Sequence, residues 1–306
     1  MARGSAAYTW GFGAANYKAC YQAISGVINQ ALTKTGDTGQ VNWATVSTEP
    51  GSGVVRDYEV FALGGPLQAT APILIRFDYW GTSTAGNGVQ ITVGTTTDGA
   101  GNLGGLLVAR TTLQNHTLSA SPNQYCWAAS DQASYFTFLY ALDPAATGTD
   151  GVGMAVIERT RDPDGTATNA GFHAWRWQAT NLTVTQPLGG WSKTFGAGSQ
   201  PAAADFNYNV MAPDLFNLNS GAVAGGIFYA FPAHTYTPLF TMKGASKALM
   251  FAFPVDFPRG VATPITHYGE AMTFLPLADA LTLNIPVANG VGNAGNKPMS
   301  AMIRWD

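Results

Sequence analysis

Between Tyr58 and Leu103 the chain carries three strand-like apolar runs, Tyr58–Leu63, Ile73–Trp80 and Val89–Val93, each bounded by turn residues. A Gly-rich tip, Asp98-Gly99-Ala100-Gly101-Asn102, follows them. Runs this short, rich in Val, Ile and aromatic residues, read as strands rather than helices. In the second run Ile75, Phe77 and Tyr79 share one face while Arg76 and Asp78 share the other. Side chains alternate along a strand, so the apolar face is expected to be buried and the charged face exposed. Three such runs in succession commit the chain to β structure before anything else is known.

The flanking sequence extends this pattern. Residues 1–16 are small and Gly-rich, with Tyr8, Trp10 and Phe12 spaced two apart, so these three aromatics share a face of an extended segment. Two readings compete there: a local edge strand, and an arm that docks its aromatics on a neighbouring subunit. Residues 17–34 hold the one good amphipathic helix candidate, with Cys20, Ile24, Val27, Ile28, Ala31 and Leu32 on one stripe. Thr35-Gly36-Asp37 is expected to close it. Val41–Val46 alternates as a half-buried strand does, and Leu106–Val108, Thr112–Leu118 and Gly153–Arg159 also read as strands. Ser134–Leu142 is nearly continuously apolar, as in a strand covered on both faces. Arg161-Asp162-Pro163-Asp164-Gly165 is a tight turn, because Pro fixes φ and Asp-Gly accepts a left-handed position. Gly171–Thr180 and Asn181–Thr185 read as a further hairpin.

Residues 189–209 are polar and rich in Gly, Ala and Pro, as in a long loop or a crossing between two parts of the fold. Beyond them Ile227–Phe231, Leu239–Met242, Lys247–Phe253, Met272–Leu275, Leu281–Ile285 and Ala301–Trp305 read as strands, with prolines confining them to edges and ends. The expected fold is mainly β, an antiparallel sandwich or jelly-roll-like arrangement with one short N-terminal helix. The expected division is an arm (1–16), a β-rich domain with a lead-in helix (17–188), a loop or crossing segment (189–209), and a second β-rich part (210–306), which the same domain could include.

Charge narrows the function. Only 11% of the 306 residues are charged and the net charge is −3, whereas an average soluble domain is about a quarter charged. No Lys/Arg run accompanies the aromatics, which argues against nucleic acid. No apolar stretch is long enough for a membrane helix or a signal peptide, so no membrane insertion is expected. A surface so poor in charge suits a protein covered by neighbours.

Candidate chemistry is sparse. Cys20 and Cys126 are far apart in sequence; independent buried thiols are the expectation, and the spacing indicates neither a disulfide nor zinc. His116, His173, His234 and His267 form no ligand motif, and no nucleophile elbow occurs. The Asp98–Asn102 tip and the Asp162/Asp164 turn each lack the carboxylates a Ca²⁺ loop needs, so both are expected to be turns. Glu158 is expected to form a surface salt bridge with a nearby arginine. No catalytic, metal or cofactor-binding residue is nominated, and no enzyme activity is expected. Tyr8, Trp10, Phe12, Trp175, Trp177 and Trp191 remain as candidate interface or glycan-contact aromatics. Trp175 and Trp177, two apart, share one strand face, where core, interface and sugar stacking compete.

Within residues 58–103, Gly65–Thr70 (GPLQAT), Pro72–Tyr79 (PILIRFDY) and Ile91–Asn102 (ITVGTTTDGAGN) resemble virion structural proteins of tailed bacteriophages. The resemblance implies a non-enzymatic particle component, most often associated with the tail or baseplate, assembled in the bacterial cytoplasm and located in the virion. Its implied partners are copies of itself and other phage virion proteins. A capsid decoration or head-spike protein is the near alternative. A spike that binds, or degrades, a host surface glycan is the alternative from another class.

Overall fold

In the computed structural model, the residues described are 1–10, 14–35, 54–81, 87–116, 121–142, 153–178, 189–194, 208–211, 227–232, 246–252, 261–276, 282–283, 297–298 and 300–306. The chain divides into two compact units. Unit 1 comprises Met1–Ala155 with Arg176–Val184, and unit 2 comprises Val156–Trp175 with Thr185–Asp306. The chain passes between them at other points than the expected 189–209 segment, which itself contains a strand.

Unit 1 begins with β1 (Ala2–Trp10) and α1 (Ala14–Ala31), followed by β2 (Thr33–Lys34), β3 (Val54–Ala62), β4 (Leu74–Gly81) and β5 (Asn87–Gly94). A small hairpin of β6 (Thr96–Thr97) and β7 (Leu103–Gly104) precedes β8 (Val108–His116), β9 (Ser121–Ser130) and β10 (Tyr135–Leu142). Two antiparallel arrays result, ordered β2-β3-β4-β5-β8 and β1-β9-β10. They meet through aromatic rings. Phe77 on β4 lies edge-on to Phe61 of its own sheet, at 5.9 Å, and to Phe136 and Phe138 of β10, at 5.8 and 5.9 Å. All four rings are fully buried. The expected inward face of the second strand is thus the inward face of a sandwich.

The helix occupies the part of this interlayer space where β1 and β9 present small residues. Gly4 faces Ala128 and Ala6 faces Cys126 across the ladder. A Cβ on Gly4 would stand 2.8 Å from the Val27 carbonyl oxygen, so α1 can lie this close only over a glycine. The stripe of Cys20, Tyr21, Ile24, Val27, Ile28 and Ala31 is buried. Toward the other sheet, the Tyr21 ring meets Tyr79 at 5.2 Å and its hydroxyl accepts the Gly88 N–H at 3.2 Å. The helix starts and stops three residues earlier than the expected 17–34. Leu32 N–H closes it on Ile28 at 2.9 Å, and Thr33 and Lys34 then pair with Ala62 and Phe61 as a strand. Strand pairing with β3 wins over one more helical turn.

Unit 2 contains most of β11 (Gly153–Arg161) and β12 (Ala167–Gln178), then β13 (Gly189–Thr194), β14 (Tyr208–Met211), β15 (Ile227–Pro232) and β16 (Leu249–Ala252). It continues through β17 (Thr263–His267), β18 (Glu270–Pro276), β19 (Thr282–Leu283), β20 (Lys297–Pro298) and β21 (Ser300–Arg304). Strands β14-β15-β16-β21-β18-β17 form one antiparallel sheet, with Met250, Ile265, Met272, Phe274 and Met302 as a buried cluster. Strand β17 was not among the expected strands; it lies at the edge of its sheet, where the expected confinement of proline-bearing strands places Pro264. The expected strands Val41–Val46 and Leu239–Met242 lie outside the described residues. Gly189–Thr194, expected to be loop or crossing, is strand.

Phe77 joins both layers, so Phe77→Ala is expected to cost about 3–5 kcal/mol. Denaturant titration should place its midpoint far below that of an exposed control such as Ala109→Ser.

Candidate functional site

The densest constellation of chemically capable groups lies in unit 2 and is built on one hairpin. The Arg161–Gly165 turn closes as its composition demands: Asp162 N–H donates to Thr166 O, and Gly165 N–H to Asp162 O at 2.8 Å. Gly165 has φ +88°, and a Cβ there would stand 2.9 Å from the Tyr268 ring. Glycine therefore lets this turn bend and also lets it lie against the β17–β18 turn. That second turn has Tyr268 and Gly269 at φ 53° and 73°, between the paired residues His267 and Glu270. Such a two-residue connection matches the twist of a hairpin.

Between these turns sits Glu158, fully buried. One carboxylate oxygen accepts Arg161 Nε–H at 2.6 Å and Lys247 N–H at 2.9 Å; the other accepts the Ser246 hydroxyl. Arg161 also donates to Gly165 O at 3.0 Å. The arginine is thus as predicted, but the pair is buried and not on the surface. Alternation along an undistorted strand sends residues three apart to opposite faces. The pair forms at Arg161 because this is the last residue of β11, where the chain turns.

Ser246, His267 and Glu158 are the residue types of a nucleophilic triad, and their geometry excludes that role. A triad needs the imidazole between hydroxyl and carboxylate. Here Ser246 Oγ donates directly to Glu158 and accepts Ala248 N–H and Leu249 N–H at 3.0 and 2.9 Å. His267 Nε2 instead donates to the Ser246 backbone carbonyl at 3.1 Å. Burial lowers the His267 pKa to about 4, helped by the charges of Lys247 and Arg161 and opposed by the Ser246 carbonyl and Glu158. Lys247 leans over the Tyr268 ring at 5.3 Å and reaches Glu270 at 3.0 Å; this donation holds the Glu270 carboxyl below its ordinary range. The cluster anchors three chain segments.

In unit 1 the Gly-rich tip is likewise closed. Asp98 Oδ1 accepts the N–H groups of Ala100 and Asn102 at 2.8 and 3.0 Å, and Oδ2 accepts the Asn102 side-chain amide at 2.7 Å. The Asn102 amide and the Ala100 N–H hold this carboxyl below its ordinary range. Tyr58 donates to Ala100 O at 2.6 Å, and Arg76 donates to Gly101 O at 2.9 Å while lying 4.0 Å from the Tyr58 ring centre. Asp78, expected to be exposed, is buried and bridges Arg76 and Arg110 at 2.6 and 3.3 Å. The loop folds back as a roof over the charged face of β4, which is why that face is not open to water.

A third buried carboxylate, Glu59, accepts the Tyr79 hydroxyl at 2.7 Å and the Asn29 amide at 3.2 Å, tying α1 to the sheet. Burial, then the neighbouring Glu59 charge, raises the Tyr79 pKa well above its ordinary value, so the phenol keeps the proton it donates. Cys20 and Cys126 are both buried and in no disulfide; burial pushes the Cys126 thiol up to about 12. Among the described residues no group of three or more His, Cys, Asp or Glu side chains could hold a metal. No described helix is long and apolar enough to cross a membrane.

The nominated aromatics are distributed over several strands. Tyr8 is half-buried on β1, opposite Gln124. Trp10 ends β1, Trp175 and Trp177 lie on β12, and Trp191 lies on β13, with side chains outside the described residues; Phe12 lies wholly outside them. Tyr125 and Trp127, an aromatic cluster in the sequence, stack on β9 with ring centres 5.6 Å apart and planes at 16°. Sequence reasoning did not single out Ser246 or Lys247. They lie 88 and 89 residues from the carboxylate they hold, and no local signal could connect them.

In comparisons with known proteins, no family model, no curated protein and no solved structure matches this chain.

Glu158→Ala should leave Arg161 buried without its carboxylate and cost about 3–5 kcal/mol in urea unfolding, with Glu158→Gln costing less. Between pH 6.5 and about 4, His267 contributes a slope of its own. Above pH 6.5 the ring is neutral whether folded or unfolded; between 6.5 and about 4 only the unfolded chain gains the proton. The contribution of this histidine should therefore fall across that window by about 3 kcal/mol and level off below it, where the lowered Glu270 and Asp98 carboxyls continue the loss of stability. His267→Asn should remove this part of the slope when urea midpoints are compared through the window.

Proposed function

We propose that this chain is a non-enzymatic structural component of a tailed bacteriophage particle, acting through contacts with its own copies and with other virion proteins at the tail tip, baseplate or fibre attachment. The observation that carries the reading is where the few charges are. Only 11% of residues are charged, and Asp57, Glu59, Asp78, Glu158, Arg159, Arg161 and Arg304 among them are buried. Among the described residues these charges are withdrawn from the surface, which holds fewer than it would if every charge faced water. A surface of that kind keeps free monomers apart poorly and suits burial against neighbours, because interface cores are depleted in charge.

The described geometry supports the same reading from a second side. Glu158, Asp78 and Asp98 each spend their oxygens on backbone N–H groups, arginines or a neighbouring amide within their own unit. These are the bonds of a scaffold that must hold its loops in shape. The resemblance of residues 58–103 to phage virion proteins supplies the particle.

The test is incorporation. Purified virions from the phage that carries this chain should contain it by mass spectrometry, and purified protein should add back to particles made without it. Its absence from virions that hold the full set of capsid and tail proteins would sink the reading.

A further inference from the structure

We propose that Cys20 and Cys126 are a latent disulfide pair, which a small-molecule disulfide such as oxidised glutathione closes into a covalent staple between α1 and β9 without changing the fold. Both residues belong to unit 1, and their pairing is independent of the particle assignment.

Spacing in the sequence does not connect these two residues; the packing of α1 does. A disulfide needs Cα atoms within about 7 Å, so a helix can be stapled to a sheet only where the two backbones come close. Here they touch. A Cβ on Gly4 would stand 2.8 Å from the Val27 carbonyl oxygen and 2.9 Å from Gln30 Cβ, so the helix lies directly on the strand. The direction of α1 follows from chain length. Three residues join Trp10 to Ala14, and such a connection spans about 14 Å at most. With Val27 over Gly4, it can be made only if α1 runs back along β1, antiparallel to it.

Positions along the strand can then be counted. Cys20 lies on the same helix stripe as Val27, two turns before it, which is about 10 Å along the axis. Ala6 lies two residues beyond Gly4, about 7 Å along β1, and Cys126 is its partner across the ladder. Residues directly opposite share a face, so Cys126 projects to the helix side, as Gly4 and Ala128 do. The two cysteines are thus level to within about 4 Å on facing surfaces, and both are fully buried. Cys126 Sγ lies 3.9 Å from Ala6 O. Burial holds this thiol up at about 12; the Ala6 carbonyl opposes the shift and the neighbouring Cys20 adds to it. Tyr79, whose ring meets Tyr21 at 5.2 Å, also responds to charge on Cys126.

Burial sets the rate. A protonated thiol is a poor nucleophile, so closure waits for α1 to lift from β1. One cysteine thiolate then attacks a sulfur of oxidised glutathione; the glutathione S–S bond breaks and one glutathione leaves as its thiolate. As α1 settles, the second cysteine gives up its proton and attacks the protein sulfur of the mixed disulfide, and the second glutathione leaves. Two protein thiols are oxidised, and one glutathione disulfide is reduced to two thiols, which carry the two protons.

The test is the closure equilibrium of the full chain in glutathione redox buffers, read by mass spectrometry after alkylation. Because the fold holds the thiols together, closure should be about a hundredfold more favourable in native buffer than in concentrated urea. The closed protein should keep the near-ultraviolet circular dichroism of the reduced one. Cys20→Ser combined with Ala31→Cys moves the helix thiol along the same stripe, to a level about 13 Å from Cys126, and should show no such preference. Equal closure of wild type in buffer and urea would overturn the pairing, as would closure that abolishes the native dichroism. It is also overturned if only mixed glutathione adducts form, or if the displaced pair closes with the same preference as wild type.

Discussion

A carboxylate taken out of water must be met by donors, and in this chain that requirement decides where loops go. Glu158, Asp78 and Glu59 all lie on strands and are all buried. Each is met by groups from elsewhere: the Ser246–Lys247 segment for Glu158, Arg110 for Asp78, and the helix residue Asn29 for Glu59. An uncompensated buried charge costs several kcal/mol. Conformations in which these segments sit elsewhere are therefore strongly disfavoured. Such pairs add little net stability over apolar packing, but they make the arrangement of the loops specific.

The apolar side of the structure is simpler and carries the bulk of the folding free energy. Phe77, with Phe61, Phe136 and Phe138, fills the space between the two arrays of unit 1, and the helix fills the space that small residues leave over β1 and β9. The helix is needed because Gly4, Ala6 and Ala128 cannot themselves reach across a sandwich spaced about 10 Å. Burying the inner face of β1 in this way leaves its low-profile outer face, Arg3, Ser5 and Ala7, exposed.

Much of the frame was legible from local pattern. The alternation at Ile75, Phe77 and Tyr79 identified a buried face, the i, i+4 stripe from Cys20 identified the helix, and Asp-Pro-Asp-Gly identified a turn. Each of these signals is local, because side-chain period and turn chemistry act over a few residues. The errors have one origin as well. Arg76 and Asp78 read as a solvent face because only a loop more than twenty residues away, at Gly101, covers them. Glu158 read as a surface charge because its partners Ser246 and Lys247 arrive from a distant segment. Strand β17 was not expected because its place at a sheet edge is a property of the whole sheet.

What the sequence by itself determined is therefore the class of object: a low-charge, mainly β chain with one amphipathic helix and tightly specified turns, each set by interactions between near neighbours. The tertiary structure alone decided which charges are buried, which glycines stand at close approaches, and which strands stand at sheet edges. Burial and exposure depend on what else arrives in the same place. Only the folded chain brings Ser246 to Glu158, or lays α1 on the face of β1.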